Sequence, residues 1–270
     1  MKVPLARSKD ALKTLATRVR EKLPRPLRKR VGQVGRFFGV DLIYPNMALS
    51  LRNLARLGFH PRFVVDVGAY EGHWTALCKT YFPEADVLMV EAQPSKAATL
   101  SAFAAQYGGQ VTTEIALLGP VDGLSVSFHE METGSSVLAE NSPAARSTSQ
   151  RTTVALDGLL RSRSQRVDFL KLDVQGYELE VLKGAPKALA EAEFVLMETS
   201  LMPVNQGCPT FAEVVGFMDS QGFRVFDLCD QGRRRDGVLW QVDLLFMKRS
   251  SSLAPEPSID STNWGSAGSY

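Results

Sequence analysis

The sequence contains few residues that would cross-link it or anchor it in a membrane. It has three cysteines in 270 residues, Cys78, Cys208 and Cys229, at wide and irregular spacing. This spacing argues against a disulfide framework and against a zinc site. No stretch approaches the roughly 18 consecutive apolar residues that a membrane-spanning helix needs, and the first residues lack the apolar core of a secretory signal. We therefore expect reduced thiols and a cytoplasmic protein.

Net charge is also nearly absent, but its distribution is uneven. The formal net charge is +2. Residues 1–40 hold twelve Lys and Arg against two acidic residues, whereas the other 230 residues hold 19 basic and 27 acidic side chains. A basic arm therefore precedes an acidic body. The apolar content of 44% is that of a globular protein and excludes global disorder.

The body alternates apolar, β-branched runs with helical patterns. Strands are predicted at 62–68, 86–92, 111–118, 124–130, 167–174, 194–200, 224–229 and 240–249. Helices are predicted at 47–59, 71–82, 94–106, 177–192 and 210–222, and a long loop is predicted at 131–150. Strand–helix alternation is typical of a parallel sheet, and the last two strands are close enough in sequence to pair antiparallel, which predicts a mostly parallel sheet with one antiparallel edge. We predict a doubly wound α/β domain over 47–249, a basic arm over 1–46 and a flexible tail over 250–270.

A glycine-containing turn follows the first predicted strand, in the segment FVVDVGAYEG at 63–72. Gly68 and Gly72 let the backbone approach a ligand beyond the carboxyl end of the strand. The dinucleotide fingerprint G-x-G-x-x-G is absent, because Ala69 and Tyr70 occupy the place of its second glycine. This argues against an NAD-dependent oxidoreductase.

Two acidic residues at strand ends indicate the charge of the ligand. Asp66 lies at the end of the first strand, where it would repel a diphosphate and favour a cation. Glu91 ends the second strand, a position from which a carboxylate accepts hydrogen bonds from a ribose diol. The expected ligand is a nucleoside with a cationic group and no phosphate, which describes S-adenosylmethionine.

A set of ordered motifs resembles the FkbM-like family of S-adenosylmethionine-dependent methyltransferases. The motifs, within roughly residues 60–249, are FVVDVGAYEG, VEAQP, GSSVL, VALDGLL, VDFLKLDVQGYELEVLKGA, FVLMETS, FAEVVGFMDSQGF and VDLLFMK. The resemblance implies a class I methyltransferase (Rossmann-like) fold with a mostly parallel seven-stranded sheet and an antiparallel last strand. It also implies O-methylation of hydroxyls, commonly on sugars or polyketides.

The resemblance further assigns cofactor residues. Asp66, Gly68, Tyr70 and Gly72 match the cofactor loop of the family, and Glu91 matches its ribose acid. One position departs from the family: Gln175 stands where many members have Glu.

The segment FLKLDVQGYE carries a second group of polar residues. Alternation places Lys171, Asp173 and Gln175 on one side of an extended segment near its carboxyl end. The two interpretations are a site-facing pair and a buried ion pair that holds the strand against its neighbour. Methyl transfer to a hydroxyl requires that its proton be removed as attack develops, so Asp173 is the first candidate for the base. Lys171 would orient Asp173 or stabilise the alkoxide.

Further candidates surround that pair. Glu178 and Glu198 are candidates for contact with substrate hydroxyls or with a metal, and Glu198 is also a catalytic candidate. Asp173 and Glu198 are hard oxygen ligands of the kind that Mg²⁺ takes, but no metal-specific spacing is visible. Ser135 and Ser136 lie in the long loop, either as a lid over the substrate or as ordinary polar residues.

The sequence also contains three histidines, one of which is a further candidate for a base. His73 follows the glycine turn and is a weaker candidate base than Asp173. His60 and His129 are expected at the surface.

The basic arm contains an amphipathic pattern at residues 10–23, before Pro24. Such a helix lies on an anionic membrane, packs on the acidic body or a partner subunit, or belongs to an organellar transit peptide. Nucleic-acid binding is disfavoured, because the first 36 residues contain no aromatic side chain to stack on bases.

The leading hypothesis is an S-adenosylmethionine-dependent O-methyltransferase whose acceptor is a sugar, a glycan or a related small metabolite. The alternative is a catalytically inactive protein of the same fold that uses its arm to bind a membrane or a partner.

Overall fold

The computed structural model describes residues 45–141 and 146–254. The predicted arm lies outside the described residues apart from Pro45 and Asn46, as do the tail beyond Ala254 and residues 142–145 of the predicted long loop. Within the described part of the chain, no helix combines the length and apolar character needed to cross a membrane.

Seven strands form the central sheet, in the order β3-β2-β1-β7-β8-β10-β9. The described strands are β1 Phe63–Val67, β2 Asp86–Glu91, β3 Val111–Ile115, β4 Leu117–Leu118, β5 Ser125–Glu130, β6 Ser147–Val154, β7 Phe169–Leu172, β8 Phe194–Ser200, β9 Phe223–Arg233 and β10 Leu239–Lys248. The described α-helices are α1 Met47–Arg56, α2 His73–Tyr81, α3 Ala97–Ala104, α4 Leu156–Leu159, α5 Glu178–Lys183, α6 Pro186–Glu191 and α7 Phe211–Ser220.

Only β10 runs against the other strands of this sheet, pairing antiparallel with both β8 and β9. This confirms the predicted mostly parallel sheet with a reversed last strand. The position of β10 differs from the prediction of an antiparallel edge, because β9 takes the edge and β10 lies inside the sheet.

The first strand lies at the centre of the sheet and is buried on both faces. It pairs in parallel with β2 on one side and with β7 on the other. All five of its residues are buried, which explains its continuous apolar run. Val65 packs in the core on one face and Val64 in the core on the other, so helices cover both sides. The chain crosses the sheet in opposite directions from β1, which places a ligand-binding crevice at the carboxyl ends of β1 and β7.

Two local predictions were wrong, and a third, the strand at 124–130, was confirmed but belongs to a separate sheet. The predicted loop at 131–150 contains the start of β6, whose first four residues are exposed and polar and show no apolar alternation. The predicted strand at 124–130 is β5, which joins a separate small sheet with the order β4-β6-β5. The predicted helix at 177–192 breaks at Gly184, where a Cβ would lie 2.2 Å from the carbonyl oxygen of Gly119, and Pro186 begins the next helix.

Candidate active site

A cavity of about 250 Å³ lies at the carboxyl ends of β1, β2 and β7. The small sheet contributes a wall of the cavity through Leu117, Leu118 and Phe128. We call the part lined by Tyr70, Glu91, Gln93 and Glu132 the β2 end of the cavity. The part lined by Lys171, Asp173, Gln175 and Ser136 is its β7 end.

The glycine turn holds β1 and β7 close together at the mouth of the crevice. Gly68 has a φ of +74°, and a Cβ added there would lie 1.9 Å from the carbonyl oxygen of Asp173. A side chain at this position would therefore force the two loops apart. Gly72, at a φ of +80°, is the N-cap of α2 and does not line the cavity.

Glu91 presents a buried carboxylate to the β2 end. It is 5% exposed. Its Oε2 accepts a hydrogen bond from the backbone N–H of Tyr70 and its Oε1 accepts one from the backbone N–H of Gln93, both at 2.8 Å. Each oxygen keeps a further lone pair, so Glu91 can still accept from a ligand hydroxyl.

Asp66 is fully buried and does not line the cavity. Its Oδ2 accepts a hydrogen bond from Thr75 Oγ1 at 2.7 Å, and its Oδ1 lies 3.0 Å from Lys171 Nζ. The charge of Asp66 is therefore balanced by Lys171 within the sheet. We expected Asp66 to act on the ligand; in the structure it acts on Lys171.

Lys171 combines the two roles that the sequence left open. It is in an ion pair with Asp66, and it also lines the β7 end, 3.7 Å from Asp173 Oδ2. Its Nζ donates to the carbonyl oxygens of Val67 and Gly68 at 3.3 and 2.9 Å. Burial opposes its charge, but the carboxylates of Asp66 and Asp173 outweigh burial and raise the pKa of Lys171. The ammonium group therefore stays charged beside Asp173.

Asp173 is the accessible carboxylate of the β7 end. Its side chain is 40% exposed. Gln175 Nε2 donates to Asp173 Oδ1 at 2.9 Å and to Glu198 Oε1 at 3.0 Å, so one amide joins two carboxyl groups. Gln241 Nε2 donates to the other oxygen of Glu198 at 2.7 Å.

Glu198 lies behind Gln175 and does not line the cavity. Burial raises the pKa of Glu198 well above its usual range, and the charges of Asp173 and Asp243 add to this effect. Burial likewise raises the pKa of Asp243 to about 7. Among the described residues, no group of three or more His, Cys, Asp and Glu side chains has an arrangement that could hold a metal ion.

Glu178 supports the turn after β7. It is 2% exposed and does not line the cavity. Its Oε1 accepts hydrogen bonds from the backbone N–H groups of Val174 and Gly176 at 2.9 and 3.1 Å. Burial raises the pKa of Glu178 to about 7. The structure therefore places Glu178 beneath the site, where we expected a substrate contact.

Ser135 and Ser136 both line the cavity, and their hydroxyls bond to the protein. Ser136 Oγ donates to the carbonyl oxygen of Gln175 at 3.0 Å. Ser135 Oγ donates to the carbonyl oxygen of Glu132 at 2.8 Å. His73 also lines the cavity, whereas His60 and His129 do not.

The sequence did not point to Glu132 or Lys96, which lie around the β2 end, and it gave Gln93 only as part of the VEAQP motif. Glu132 belongs to no motif, and Lys96 resembles an ordinary surface lysine at the start of a helix. The signal that identifies this region is conformational: the described non-glycine residues with positive φ are Tyr70, Glu132 and Gln175, at +51°, +46° and +56°. All three line the cavity, and strained backbone of this kind concentrates at functional sites.

Residues 66–225 match the family profile described as the methyltransferase FkbM domain, which is more than half of the chain. The chain belongs to the FkbM methyltransferase family. The predicted family and the predicted class, an S-adenosylmethionine-dependent methyltransferase, are thereby confirmed.

Solved structures similar to this FkbM chain are themselves methyltransferases. Magnesium protoporphyrin IX methyltransferase from Synechocystis, with bound S-adenosylmethionine, aligns over 84% of this chain and 85% of its own at 13% identity and a TM-score of 0.45. Precorrin-6y C5,15-methyltransferase from Geobacter metallireducens aligns over 74% of this chain and 86% of its own, at 12% identity and a TM-score of 0.44. A 1,6-didemethyltoxoflavin-N1-methyltransferase from Burkholderia thailandensis aligns over 92% of this chain and 93% of its own, at 13% identity and a TM-score of 0.42. Comparison with curated proteins gives no match.

The donor set of the cavity fits the cofactor of the family. Glu91, Glu132 and Asp173 contribute carboxylates to the lining, and the lining lysine, Lys171, is paired with Asp66. The resulting surplus of negative charge suits a sulfonium and an ammonium group and would repel phosphates. The carboxylate of Glu91 would hold the ribose hydroxyls, and the glycine turn would form the adjoining wall.

Proposed function

We propose that this FkbM methyltransferase is an O-methyltransferase that acts on a hydroxyl of a sugar, a glycan or a related small metabolite. The observation that carries the proposal is the accessible carboxylate of Asp173, held between Lys171 and Gln175 at the β7 end of the cavity. An alcohol must lose its proton as it attacks a methyl group, so a positioned base favours an oxygen acceptor.

The cofactor, when bound, supplies a methyl group activated by a sulfonium. Asp173 accepts the proton of the acceptor hydroxyl. The charged ammonium of Lys171 lies 3.7 Å from Asp173 Oδ2 and favours the developing alkoxide. Gln175 donates to Asp173 Oδ1 and thereby sets the orientation of the carboxylate. The apolar side chains of Leu117, Leu118 and Phe128 exclude water from the cavity wall that they form.

The nature of the cavity supports a small, polar acceptor. Its β7 end offers a carboxylate, an ammonium and a side-chain amide, which match a hydroxylated molecule better than an apolar one. The family resemblance points to the same class, since its members commonly methylate sugars or polyketides.

Calorimetry with S-adenosylmethionine tests the cofactor site. Glu91→Ala should weaken binding by about tenfold to a hundredfold, because it removes a charged hydrogen-bond acceptor from the lining. Glu114→Ala is the matched control, since Glu114 is an exposed glutamate on the neighbouring strand β3. Absence of binding by the unaltered protein, or equal binding by Glu91→Ala, would contradict the cofactor site.

Mass spectrometry identifies the acceptor class. The protein is incubated with methyl-labelled S-adenosylmethionine and separate mixtures of sugars, hydroxylated polyketides, amines and thiols. Label on a hydroxyl of the first or second mixture is the expected result. Label confined to amines or thiols would overturn O-methylation while leaving methyl transfer intact.

We further propose that the protein works in the cytoplasm and that the arm over residues 1–40 brings it to an anionic membrane surface. The charge of the arm supports this, because twelve basic residues outnumber two acidic ones there.

A further inference from the structure

Four residues at the β2 end of the cavity form a closed circuit of hydrogen bonds. Tyr70 and Gln93 each donate a backbone N–H to the carboxylate of Glu91. From the other side, Tyr70 Oη donates to Glu132 Oε2 at 2.6 Å and Gln93 Nε2 donates to the carbonyl oxygen of Glu132 at 3.0 Å. All four line the cavity. We call this circuit the Glu91–Glu132 ring.

The ring extends from the interior to the surface. Glu91 and Gln93 are each 5% exposed, whereas the side chain of Glu132 is 74% exposed. The inner half belongs to the end of β2 and the residues that follow it. Glu132 comes from the connection between β5 and β6, so it is the member that can leave without disturbing the central sheet.

Lys96 holds the outer half in place. Its Nζ lies 2.9 Å from Glu132 Oε2, 3.1 Å from Glu71 Oε1 and 3.9 Å from the centre of the Tyr70 ring. Hydrogen bonds with Tyr70 and Glu132 raise the pKa of Lys96, so it remains charged. A cation immediately before the first residue of α3 is unfavourable for the helix dipole. The position of this charge therefore serves the contacts with Tyr70 and the two glutamates.

The segment that carries Glu132 also reaches the β7 end. His129 and Ser136 exchange two backbone hydrogen bonds, at 2.8 and 3.0 Å, which close a loop around residues 130–135. Ser136 Oγ then donates to the carbonyl oxygen of Gln175. Glu132 and Gln175 both have positive φ. One short loop thus spans from the ring to the turn that orients Asp173.

We infer that Glu132 is a positioning residue that closes the β2 end over the cofactor through Tyr70 and Lys96, and that opening of the Glu91–Glu132 ring limits release of the cofactor product. The inference rests on the proposed function, because it takes the occupant of the cavity to be S-adenosylmethionine before transfer and S-adenosylhomocysteine after it. A ligand on Glu91 leaves after Tyr70 swings away from Glu132, and the ion pair with Lys96 opposes that movement.

The test measures dissociation of isotopically labelled S-adenosylhomocysteine, chased with excess unlabelled compound and followed by rapid filtration. Glu132→Ala should raise the dissociation rate about tenfold, because it removes a hydrogen bond to a charged group and an ion pair. Tyr70→Phe should raise the rate by several-fold, but it should have little further effect in the Glu132→Ala background. Glu132→Gln should partly restore the slow rate, because its amide oxygen still accepts from Tyr70.

Glu130→Ala is the matched control. Glu130 lies two residues earlier, pairs with Arg151 at 3.9 Å and does not line the cavity. S-adenosylhomocysteine should dissociate from the Glu130→Ala variant at the same rate as from the unaltered protein. Equal dissociation rates for Glu132→Ala and Glu130→Ala would overturn the inference that the Glu91–Glu132 ring limits release of the cofactor product. Absence of binding by the unaltered protein, with thermal unfolding showing that it is folded, would instead overturn the proposed cofactor site.

Discussion

At the scale of single residues, Asp173 is the group on which the proposed chemistry depends. We predict that Asp173→Asn lowers turnover by about 10² to 10⁴, because the amide has the same shape but cannot accept the hydroxyl proton. Affinity for S-adenosylmethionine should fall far less than turnover, since Asp173 lies at the opposite end of the cavity from Glu91 and contributes one of several carboxylates to the lining. Turnover is measured with labelled cofactor on the acceptor mixtures, and affinity by calorimetry.

The control for this prediction is Glu180→Gln. Glu180 pairs with Lys183 at the surface of α5 and does not line the cavity, so the variant should keep full turnover. Comparable turnover in Asp173→Asn would remove Asp173 as the base.

Gln175 shows why an amide suits this chain at a position where the family resemblance implies Glu in many members. Its Nε2 donates to both Asp173 and Glu198. A carboxylate there would face two further carboxyl groups, while the nearby cation, Lys171, is already paired with Asp66. It would have to be protonated to make either contact. The amide makes both contacts without a proton, and this leaves Asp173 free to act as the base.

The raised pKa of Glu178 predicts that the free energy of unfolding depends on pH. Its pKa in the folded state is raised to about 7 by burial, whereas an unfolded chain ionises near the ordinary glutamate value of about 4.3. The unfolded state therefore releases the proton first as pH rises. The stability contributed by the protonated form is complete below about pH 4.3 and is lost as pH rises through 7, by about 3–4 kcal/mol in total.

Denaturant unfolding at pH 5 and pH 8 measures this loss. Glu178→Gln keeps an oxygen that accepts from Val174 and Gly176 but cannot ionise, so its stability should fall less over this range than that of the unaltered protein. Asp243, whose pKa is also about 7, contributes a dependence of the same sign that remains in the variant. An equal loss in both proteins would show that Glu178 does not titrate in this range.

At the scale of elements, the glycine turn joins β1 to β7. We predict that Gly68→Ala destabilises the fold by about 3 kcal/mol or more, because the new Cβ meets the Asp173 carbonyl oxygen and the φ of +74° disfavours a side chain. Cofactor binding should fall in the same variant, since the turn forms the cavity wall. Denaturant unfolding and calorimetry provide the two measurements.

Gly216→Ala is the matched control for the turn. Gly216 lies within α7, and a Cβ there would meet nothing within 4 Å. This variant should be stabilised by about 0.5–1 kcal/mol, because alanine favours a helix over glycine. Similar stabilities for the two alanine variants would contradict the close approach of the loops.

The small sheet β4-β6-β5 gives the cavity a wall that the central sheet does not provide. It supplies Phe128 directly and carries the loop with Glu132, Ser135 and Ser136. In this way residues far from the glycine turn in sequence reach both ends of the cavity.

At the scale of the whole molecule, the uneven charge predicts a test of the arm. The full chain should sediment with vesicles that contain anionic lipid, and a chain without residues 1–40 should not, because the acidic body is repelled by the same surface. Binding should weaken as salt is raised, since the interaction is screened. Vesicles of neutral lipid are the control.

The same experiment separates an enzyme from a scaffold. If the chain without residues 1–40 loses membrane binding but keeps full methyl transfer, the arm serves to place the protein at the membrane and takes no part in catalysis. Membrane binding that survives deletion of the arm would contradict our proposal for it. Vesicle binding without any methyl transfer by the full chain would favour the inactive alternative.

The sequence by itself determined the architecture and the class of the protein. The buried run at 63–67 and the apolar repeats that follow are local signals, because a strand or helix in a core must show an apolar pattern along its own length. Glu91 and the glycines were also recognisable, since strand ends in a parallel sheet meet at one edge. These features sufficed for the fold, the family and the position of Glu91 at the edge of the sheet.

Only the tertiary structure decided what each charged side chain does. Lys171 pairs with Asp66 across 105 positions of sequence, and Tyr70 reaches Glu132 across 62. Glu178 is buried beneath the turn, and Glu198 lies behind Gln175. The energy of a carboxylate depends on its solvation and on the charges around it, and chain segments distant in sequence set both. The local pattern therefore places an acid at a strand end, and packing decides whether it contacts a ligand, a lysine or a turn.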